Sequence, residues 1–170
     1  MVVATTLLAA VVVAAGASSN DLVTTTCKKS DYATCVAMLG TDPRSARAAT
    51  VRDLAGIGVD VATDNAWRGS GFFSAAADMA ASLALRRCAS HYDGAEYALK
   101  TASEDMDARL YKHARAEASN AENVGNKCAQ EFVDRKTKPS ADVVKVNQRM
   151  KDWTTVAGDL IDLLVTSLGD

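Results

Sequence analysis

Apolar residues recur at alternating steps of three and four along the last part of the chain. They form one stripe, whose members are Val143, Val146, Met150, Trp153, Ala157, Leu160, Leu164 and Leu168. The intervening positions are mostly charged or polar, so one face of the segment is apolar and the other is hydrophilic. Ser140 follows Pro139 and supplies a side chain that can cap a helix start. The pattern predicts an amphipathic helix from residue 140 to about residue 167.

Two further stripes with the same spacing lie upstream and predict a helical hairpin. The first runs from residue 83 to about residue 103, and the second from residue 107 to residue 135. The inward positions of the first are Leu83, Cys88, Tyr92, Ala95, Leu99 and Ala102. Those of the second are Leu110, Ala114, Ala118, Ala121, Val124, Cys128 and Phe132. The turn between the two helices is expected at residues 104–107.

Another helix precedes this hairpin, and its ends are less sharply marked. It starts at Ser45 or at Thr50, and one more turn at its far end reaches Trp67. Its inward positions are Val51, Leu54, Ile57 or Gly58, Val61 and Ala62. The next residues, 68–79, contain two glycines, which leaves two alternatives open: a kinked continuation of the helix or a connection.

These elements predict an all-α fold, an up-down-up-down four-helix bundle with an N-terminal helical hairpin arm. The arm covers about residues 20–44 and the bundle about residues 45–168. Both belong to a single domain of residues 18–170, a length that suits one hydrophobic core. Bundles carry out many functions, so the fold class alone does not identify one.

Residues 1–17 have the pattern of a signal peptide. They contain no charged side chain, and residues 7–15 form an unbroken apolar run that is short for a membrane span. Ala15, Gly16 and Ala17 have the small-x-small form of a cleavage site, which predicts a secreted chain that begins at Ser18. No Lys or Arg follows Met1, which departs from the usual pattern, and the alternative is an apolar N-terminal helix that is retained. After removal of the signal, no membrane association is predicted.

Export favours disulfides for the four cysteines, and four cysteines allow three pairings. Cys88 and Cys128 are equidistant from residue 108, near the predicted turn of the hairpin, and both belong to its inward stripes. They should therefore lie at the same height and form one bridge, which leaves Cys27–Cys35 as the second. The close C-x₂₋₄-C pairs of structural zinc sites and a C-x-x-C redox motif are both absent from the sequence.

The rest of the sequence gives no positive case for an enzyme, a metal or a cofactor. His91 and His113 each lie on a predicted helix and are interpreted as solvated or half-buried residues. Glu104, Asp105 and Asp107 fit a solvated turn better than an acid–base site. The aromatic residues Trp67, Trp153, Phe72 and Phe73 are predicted to be core, with an exposed Phe72–Phe73 contact pair as the alternative. The formal net charge is −2 and no basic block occurs, so nucleic acid is not a predicted partner.

Several motifs around the cysteines together resemble the plant invertase inhibitor and pectin methylesterase inhibitor family. The opening of the domain matches at Thr26-Cys27, Cys35, Leu39 and Asp42-Pro43-Arg44-Ser45, and the third cysteine is followed by a Tyr, at Cys88 and Tyr92. The region of the fourth cysteine matches at Tyr111, Ala114, Ser119, Ala121, Cys128 and Phe132. The resemblance covers residues 22–168.

The resemblance implies a secreted or vacuolar protein that blocks the active-site cleft of a carbohydrate-active enzyme in a one-to-one non-covalent complex. It also implies pairing of the first with the second cysteine and of the third with the fourth. Such an inhibitor needs a rigid complementary surface rather than catalytic residues.

The resemblance leaves two target enzymes, plant pectin methylesterase and acid invertase. Inhibitors of the esterase use bundle faces near the arm, whereas invertase inhibitors often carry a Pro-Lys-Phe motif before the fourth cysteine. That motif corresponds here to Tyr111, Lys112 and His113, a candidate contact site in which only the Lys is kept. Lys127 replaces the usual Thr before Cys128, and the first cysteine spacing is slightly short. The pattern favours the esterase; a secreted binding module without inhibitory activity is the remaining alternative.

Overall fold

A computed structural model describes residues 19–168. The predicted signal peptide, residues 1–17, lies outside the described residues. The helices are α1 (Ser19–Cys27), α2 (Tyr32–Leu39), α3 (Val51–Ala80), α4 (Leu83–Asp107), α5 (Tyr111–Glu122), α6 (Val124–Asp134) and α7 (Ala141–Leu168), with a 3₁₀ helix at Pro43–Arg47 between α2 and α3. Within the described range, no helix is both long and apolar enough to cross a membrane.

The predicted bundle with an N-terminal arm is confirmed. Helices α3, α4, the α5–α6 pair and α7 run alternately up and down, and each packs against its neighbours around one apolar core. The arm, formed by α1 and α2, packs on α3 and α7. Met38 of the arm reaches the position of Gly58 on α3, beside Leu160 of α7, so the arm shares the core of the bundle.

Two disulfides fix this arrangement. Cys27–Cys35 joins α1 to α2 with a Cα–Cα distance of 5.5 Å, and Cys88–Cys128 joins α4 to α6 with a Cα–Cα distance of 4.6 Å. All four cysteines are buried. The first disulfide closes a small arm whose two helices have only nine and eight residues, too few to be stable alone.

Helix α3 is one continuous helix, which decides between the two alternatives for residues 68–79. Thr50 is its N-cap, because the Thr50 hydroxyl accepts a bond from the Asp53 amide and the Asp53 carboxylate accepts one from the Thr50 amide. Gly69 does not break the helix but lets it approach α4, since a Cβ at this position would lie 2.3 Å from Cδ1 of Tyr92. Tyr92 is fully buried, lies 4.9 Å from the ring of Phe73, and donates its hydroxyl to Asn147 Oδ1 of α7 at 3.0 Å.

Gly69 and Gly71 provide a matched pair for testing this packing. We expect Gly69→Ala to lower the free energy of unfolding by about 1–3 kcal/mol, because the new methyl group would displace the Tyr92 ring. We expect Gly71→Ala to raise it by up to about 1 kcal/mol, because this exposed position has open space and Ala is the better helix former. Urea unfolding of both variants measures the difference, and equal effects would show that Gly69 has no packing role.

Three details of the hairpin differ from the prediction. Helix α4 continues to Asp107, so the turn lies at residues 108–110 rather than 104–107. Leu83 and Leu110 were assigned inward positions but are 51% and 48% exposed, because both stand at helix ends. The single helix predicted for residues 107–135 is interrupted at Asn123, where α5 ends and α6 begins.

The last helix agrees closely with its predicted stripe. Ser140 Oγ accepts a bond from the Val143 amide at 3.3 Å, as expected for a cap. The predicted inward residues Val143, Met150, Ala157, Leu160 and Leu164 are buried, whereas Val146 and Trp153 are half-buried. The side chain of Leu168 lies outside the described residues.

Candidate partner-binding surfaces

A groove of about 530 Å³ runs between the arm, α3 and α7. We call it the arm-side groove; its lining residues are Thr41, Asp42, Arg44, Asp60, Val61, Asp64, Asn65, Arg68, Arg149 and Trp153. The segment that leaves α2 forms one wall, and the two long helices form the other. The groove therefore exists only while the arm is docked on the bundle.

Arg44 holds the arm wall against α3. Its guanidinium donates to Asp42 Oδ2 at 2.7 Å and to Asp60 Oδ2 on α3 at 2.9 Å. The side-chain hydrogen bonds from Arg44 lower the pKa of the Asp42 carboxyl group, and those to Asp42 and Asp60 raise the pKa of Arg44. Asp42 also caps the 3₁₀ helix by accepting the Arg44 amide at 2.8 Å. This wall is thus ordered before any partner binds, which lowers the entropic cost of binding.

Trp153 and Arg149 of α7 form the opposite side of the groove. The Arg149 guanidinium lies 5.9 Å from the centre of the Trp153 ring, within the range of a cation–π contact. Trp153 is half-buried and Arg149 is exposed. Both also line a second groove, between α7 and the α2 residues Ala33, Thr34 and Ala37, so Trp153 belongs to the lining of two neighbouring grooves.

The aromatic residues show where the sequence interpretation was wrong. Trp67 was predicted to be core, but it is 60% exposed on the outer face of α3, one turn after Asp64. Phe73 is fully buried and Phe72 is half-buried, with their ring centres 5.1 Å apart. The alternative prediction, an exposed Phe72–Phe73 contact pair, is therefore also wrong. Trp153 is only partly core, as described above.

The predicted contact site at Tyr111, Lys112 and His113 is a separate surface at the start of α5. Tyr111 is 3% exposed, while Lys112 and His113 are exposed. Only the last two side chains are therefore available to a partner. None of the three lines the arm-side groove; Tyr111 instead lines a shallow depression near Thr50, Arg109 and Leu164.

The remaining titratable candidates are engaged in structural contacts or face solvent. His91 Nε2 lies 3.0 Å from Glu131 Oε1, which joins α4 to α6 near the Cys88–Cys128 bridge. The bond with His91, together with an ion pair to Arg135, lowers the pKa of the Glu131 carboxyl group. Among residues 19–168, no group of three or more His, Cys, Asp or Glu side chains is arranged to hold a metal ion.

Only some of the residues that line the arm-side groove could be predicted from the sequence. The Asp-Pro-Arg-Ser turn marked the position of Asp42 and Arg44, but nothing local indicated that Arg44 would reach Asp60, sixteen residues later. Arg149 was predicted to lie on the hydrophilic face of α7, as one exposed residue among several. Its relation to the arm depends on tertiary packing, which periodicity does not encode.

The comparison with known families agrees with the sequence resemblance. A family model described as plant invertase/pectin methylesterase inhibitor matches residues 21–160. The matched range begins in α1 and ends in α7, so both candidate surfaces and all four cysteines lie within it. No curated protein matches the chain.

Proposed function

Because the chain belongs to the plant invertase/pectin methylesterase inhibitor family, we propose that it inhibits a plant pectin methylesterase by covering its active-site cleft in a one-to-one non-covalent complex. Members of this family are inhibitors rather than enzymes. We further propose that residues 1–17 are a signal peptide and that residues 18–170 act as one domain in the cell wall.

The observation that carries the choice of target is the arm-side groove. It lies on bundle faces next to the arm, the faces that the resemblance to esterase inhibitors implies as the binding surface, and this agreement supports the proposal. One wall of the groove carries the ion pair of Arg44 with Asp60, and the opposite side presents the exposed Arg149 and the half-buried Trp153. Arg and Trp are the residue types that most often dominate the binding energy of protein interfaces.

Inhibition of acid invertase is the second candidate, and one observation favours it. Lys112 is the residue that the family motif retains, and it is exposed together with His113. Tyr111, which occupies the position of the motif's Pro, is buried and contributes to the core instead of to a contact. The surface therefore offers two polar side chains where the motif offers a Lys and a Phe.

The deciding experiment is a titration of the oxidised protein, beginning at Ser18, against plant pectin methylesterase and plant acid invertase in parallel at mildly acidic pH. We expect stoichiometric inhibition of the esterase only, with a one-to-one complex in size-exclusion chromatography coupled to light scattering. Inhibition of invertase alone would overturn the choice of target. If a protein with both disulfides verified inhibits neither enzyme, that result would overturn the inhibitor assignment in favour of a binding module.

A further inference from the structure

The outer face of the α3–α4 hairpin carries two exposed aromatic rings at the same height. Ser70 Oγ on α3 donates to Asp93 Oδ1 on α4 at 2.5 Å, which fixes the register of these antiparallel helices. Trp67 precedes Ser70 by one turn and Tyr97 follows Asp93 by one turn, so both lie on the same side of this bond. They are 60% and 76% exposed, and neither lines the arm-side groove. The two rings therefore lie side by side on an exposed face.

Two glycines leave a recess in the same face, one turn away from the rings. Gly71 and Gly94 directly follow the two residues that form the bond, so they also lie side by side across the hairpin. Gly71 is one turn from Trp67 and Gly94 one turn from Tyr97, which puts each glycine on the helix face of its ring. A Cβ at either glycine would meet no atom within 4 Å, so packing inside the chain does not require them. Glycine weakens a helix interior, and it suits a position where another molecule approaches the backbone closely.

The rings and the recess are complementary to each other across a two-fold axis. We consider a second copy whose axis lies between the two faces, perpendicular to the helices, and passes between the level of the rings and the level of the glycines. This operation places Gly71 of one copy opposite Trp67 of the other, and Gly94 opposite Tyr97. Because a two-fold axis repeats each contact in the reverse direction, every ring meets a glycine. The face therefore fits a second copy of itself.

The same operation brings opposite charges together at both ends of α4. Arg86 and Glu104 lie on either side of the proposed axis at almost equal distances along α4, and both are exposed. Arg86 of each copy therefore stands opposite Glu104 of the other. On α3, Asp78 stands opposite Asp60, whose carboxylate already accepts a bond from Arg44 at 2.9 Å. Asp78 thus meets an ion pair rather than an unpaired carboxylate, and the charges of the two faces are compatible.

The size of the face suits a weak dimer. Its open part covers residues 63–78 of α3 and residues 86–104 of α4, about 25 Å along the helices and about 20 Å across them. Nearer the start of α3, Gly56 and Asp60 line a separate groove beside the 3₁₀ helix, which limits the face at that end. The footprint is about 500 Å² per copy and about 1,000 Å² in total, the lower limit for a specific interface.

We infer that the outer face of the α3–α4 hairpin is a dimer interface, in which Trp67 and Tyr97 of each copy pack into the glycine recess of the other around a two-fold axis. The dimer is reversible, with a dissociation constant of the order of 10–100 µM. At the much lower concentrations of an inhibition assay it dissociates, so the inference is independent of the one-to-one complex proposed above.

Sedimentation equilibrium of the oxidised protein, beginning at Ser18, tests the interface. We expect the weight-average mass to rise from that of a monomer at about 1 µM toward that of a dimer at about 500 µM. Gly71→Gln combined with Gly94→Gln fills the recess with a residue that favours helices. We therefore expect association at least about tenfold weaker, together with an unchanged or higher midpoint of thermal unfolding for the dilute monomer. Weaker association of an equally or more stable protein cannot result from a folding defect.

Two single variants test the rings. Trp67→Ala removes the larger ring and should also weaken association by at least about tenfold. Tyr32→Ala is the control, because it removes an exposed aromatic ring of α2, outside the face, and should leave association unchanged. A wild-type protein that stays monomeric at every concentration, or a dimer that persists when the recess is filled, would overturn the inference. If the wild type stays monomeric and Trp67→Ala weakens inhibition of the esterase, the face belongs to the contact with the target enzyme instead.

Charge reversal tests the two-fold arrangement. Arg86→Glu alone, or Glu104→Arg alone, places like charges opposite each other at both ends of α4 and should weaken association by at least about threefold. The double variant restores opposite charges across the axis, and its association should return to within about twofold of the wild type. A double variant that combines the two losses would contradict this arrangement of the copies.

Discussion

Replacing Arg149 by Ala is expected to weaken inhibition of pectin methylesterase by at least about 30-fold, a loss of about 2 kcal/mol in binding free energy. Arg149 is exposed on α7 and contacts the ring of Trp153, whereas Arg44 and Arg68 in the same groove pair with carboxylates. Its guanidinium is therefore held over an aromatic face and remains available to groups on a partner. The inhibition constant of the variant, measured against one esterase preparation, gives the magnitude.

Two variants make this measurement specific to the surface. Arg86→Ala removes an exposed Arg near the start of α4, outside the groove, and should leave the inhibition constant within about twofold. Lys112→Ala tests the other candidate surface and should also have little effect on the esterase. Strong loss with Lys112→Ala and none with Arg149→Ala would move the interface to the start of α5. Thermal unfolding of all three variants should be alike, because each side chain is exposed.

The residues that the sequence predicted well are those whose position follows from local periodicity. The stripe from Val143 to Leu164 identified α7 because each apolar step of three or four keeps one helix face in the core. The bridge between Cys88 and Cys128 followed from the same stripes, since positions equidistant from the turn of an antiparallel hairpin lie at the same height. In both cases, the information lies within one helix or one hairpin.

The residues that the sequence predicted poorly depend on which neighbour a helix face meets. Trp67 is apolar and fits a helical pattern, yet it faces solvent because α4 and α7 pack on other sides of α3. Gly69 is of a residue type that weakens helices, but here the ring of Tyr92 occupies the space that a side chain at this position would need. The contact of Arg44 with Asp60 and that of Ser30 with Asp159 join distant parts of the chain, and both belong to the region that distinguishes this protein from a plain bundle.

Removing the two disulfides separately should separate the stability of the bundle from the integrity of the groove. Cys88→Ala together with Cys128→Ala opens a loop with a sequence separation of 40 and is expected to cost about 4 kcal/mol in the loop-entropy model. That is a large share of the roughly 5–15 kcal/mol that stabilises a typical domain. Replacing Cys27 and Cys35 by Ala opens a loop with a sequence separation of only 8, and it is expected to lower the free energy of unfolding by about 2–3 kcal/mol.

The effects on inhibition should have the opposite order. The Cys88–Cys128 bridge lies away from the arm-side groove, so its removal should lower the midpoint of urea unfolding while the folded variant still inhibits. The Cys27–Cys35 bridge holds two helices that are too short to persist alone, and their loss removes the wall formed by Asp42 and Arg44. We therefore expect the arm variant to keep most of its helical circular dichroism but to lose inhibition by at least about tenfold. Full inhibition by the arm variant would mean that the partner surface does not include the arm, and it would leave the α5 surface as the better candidate.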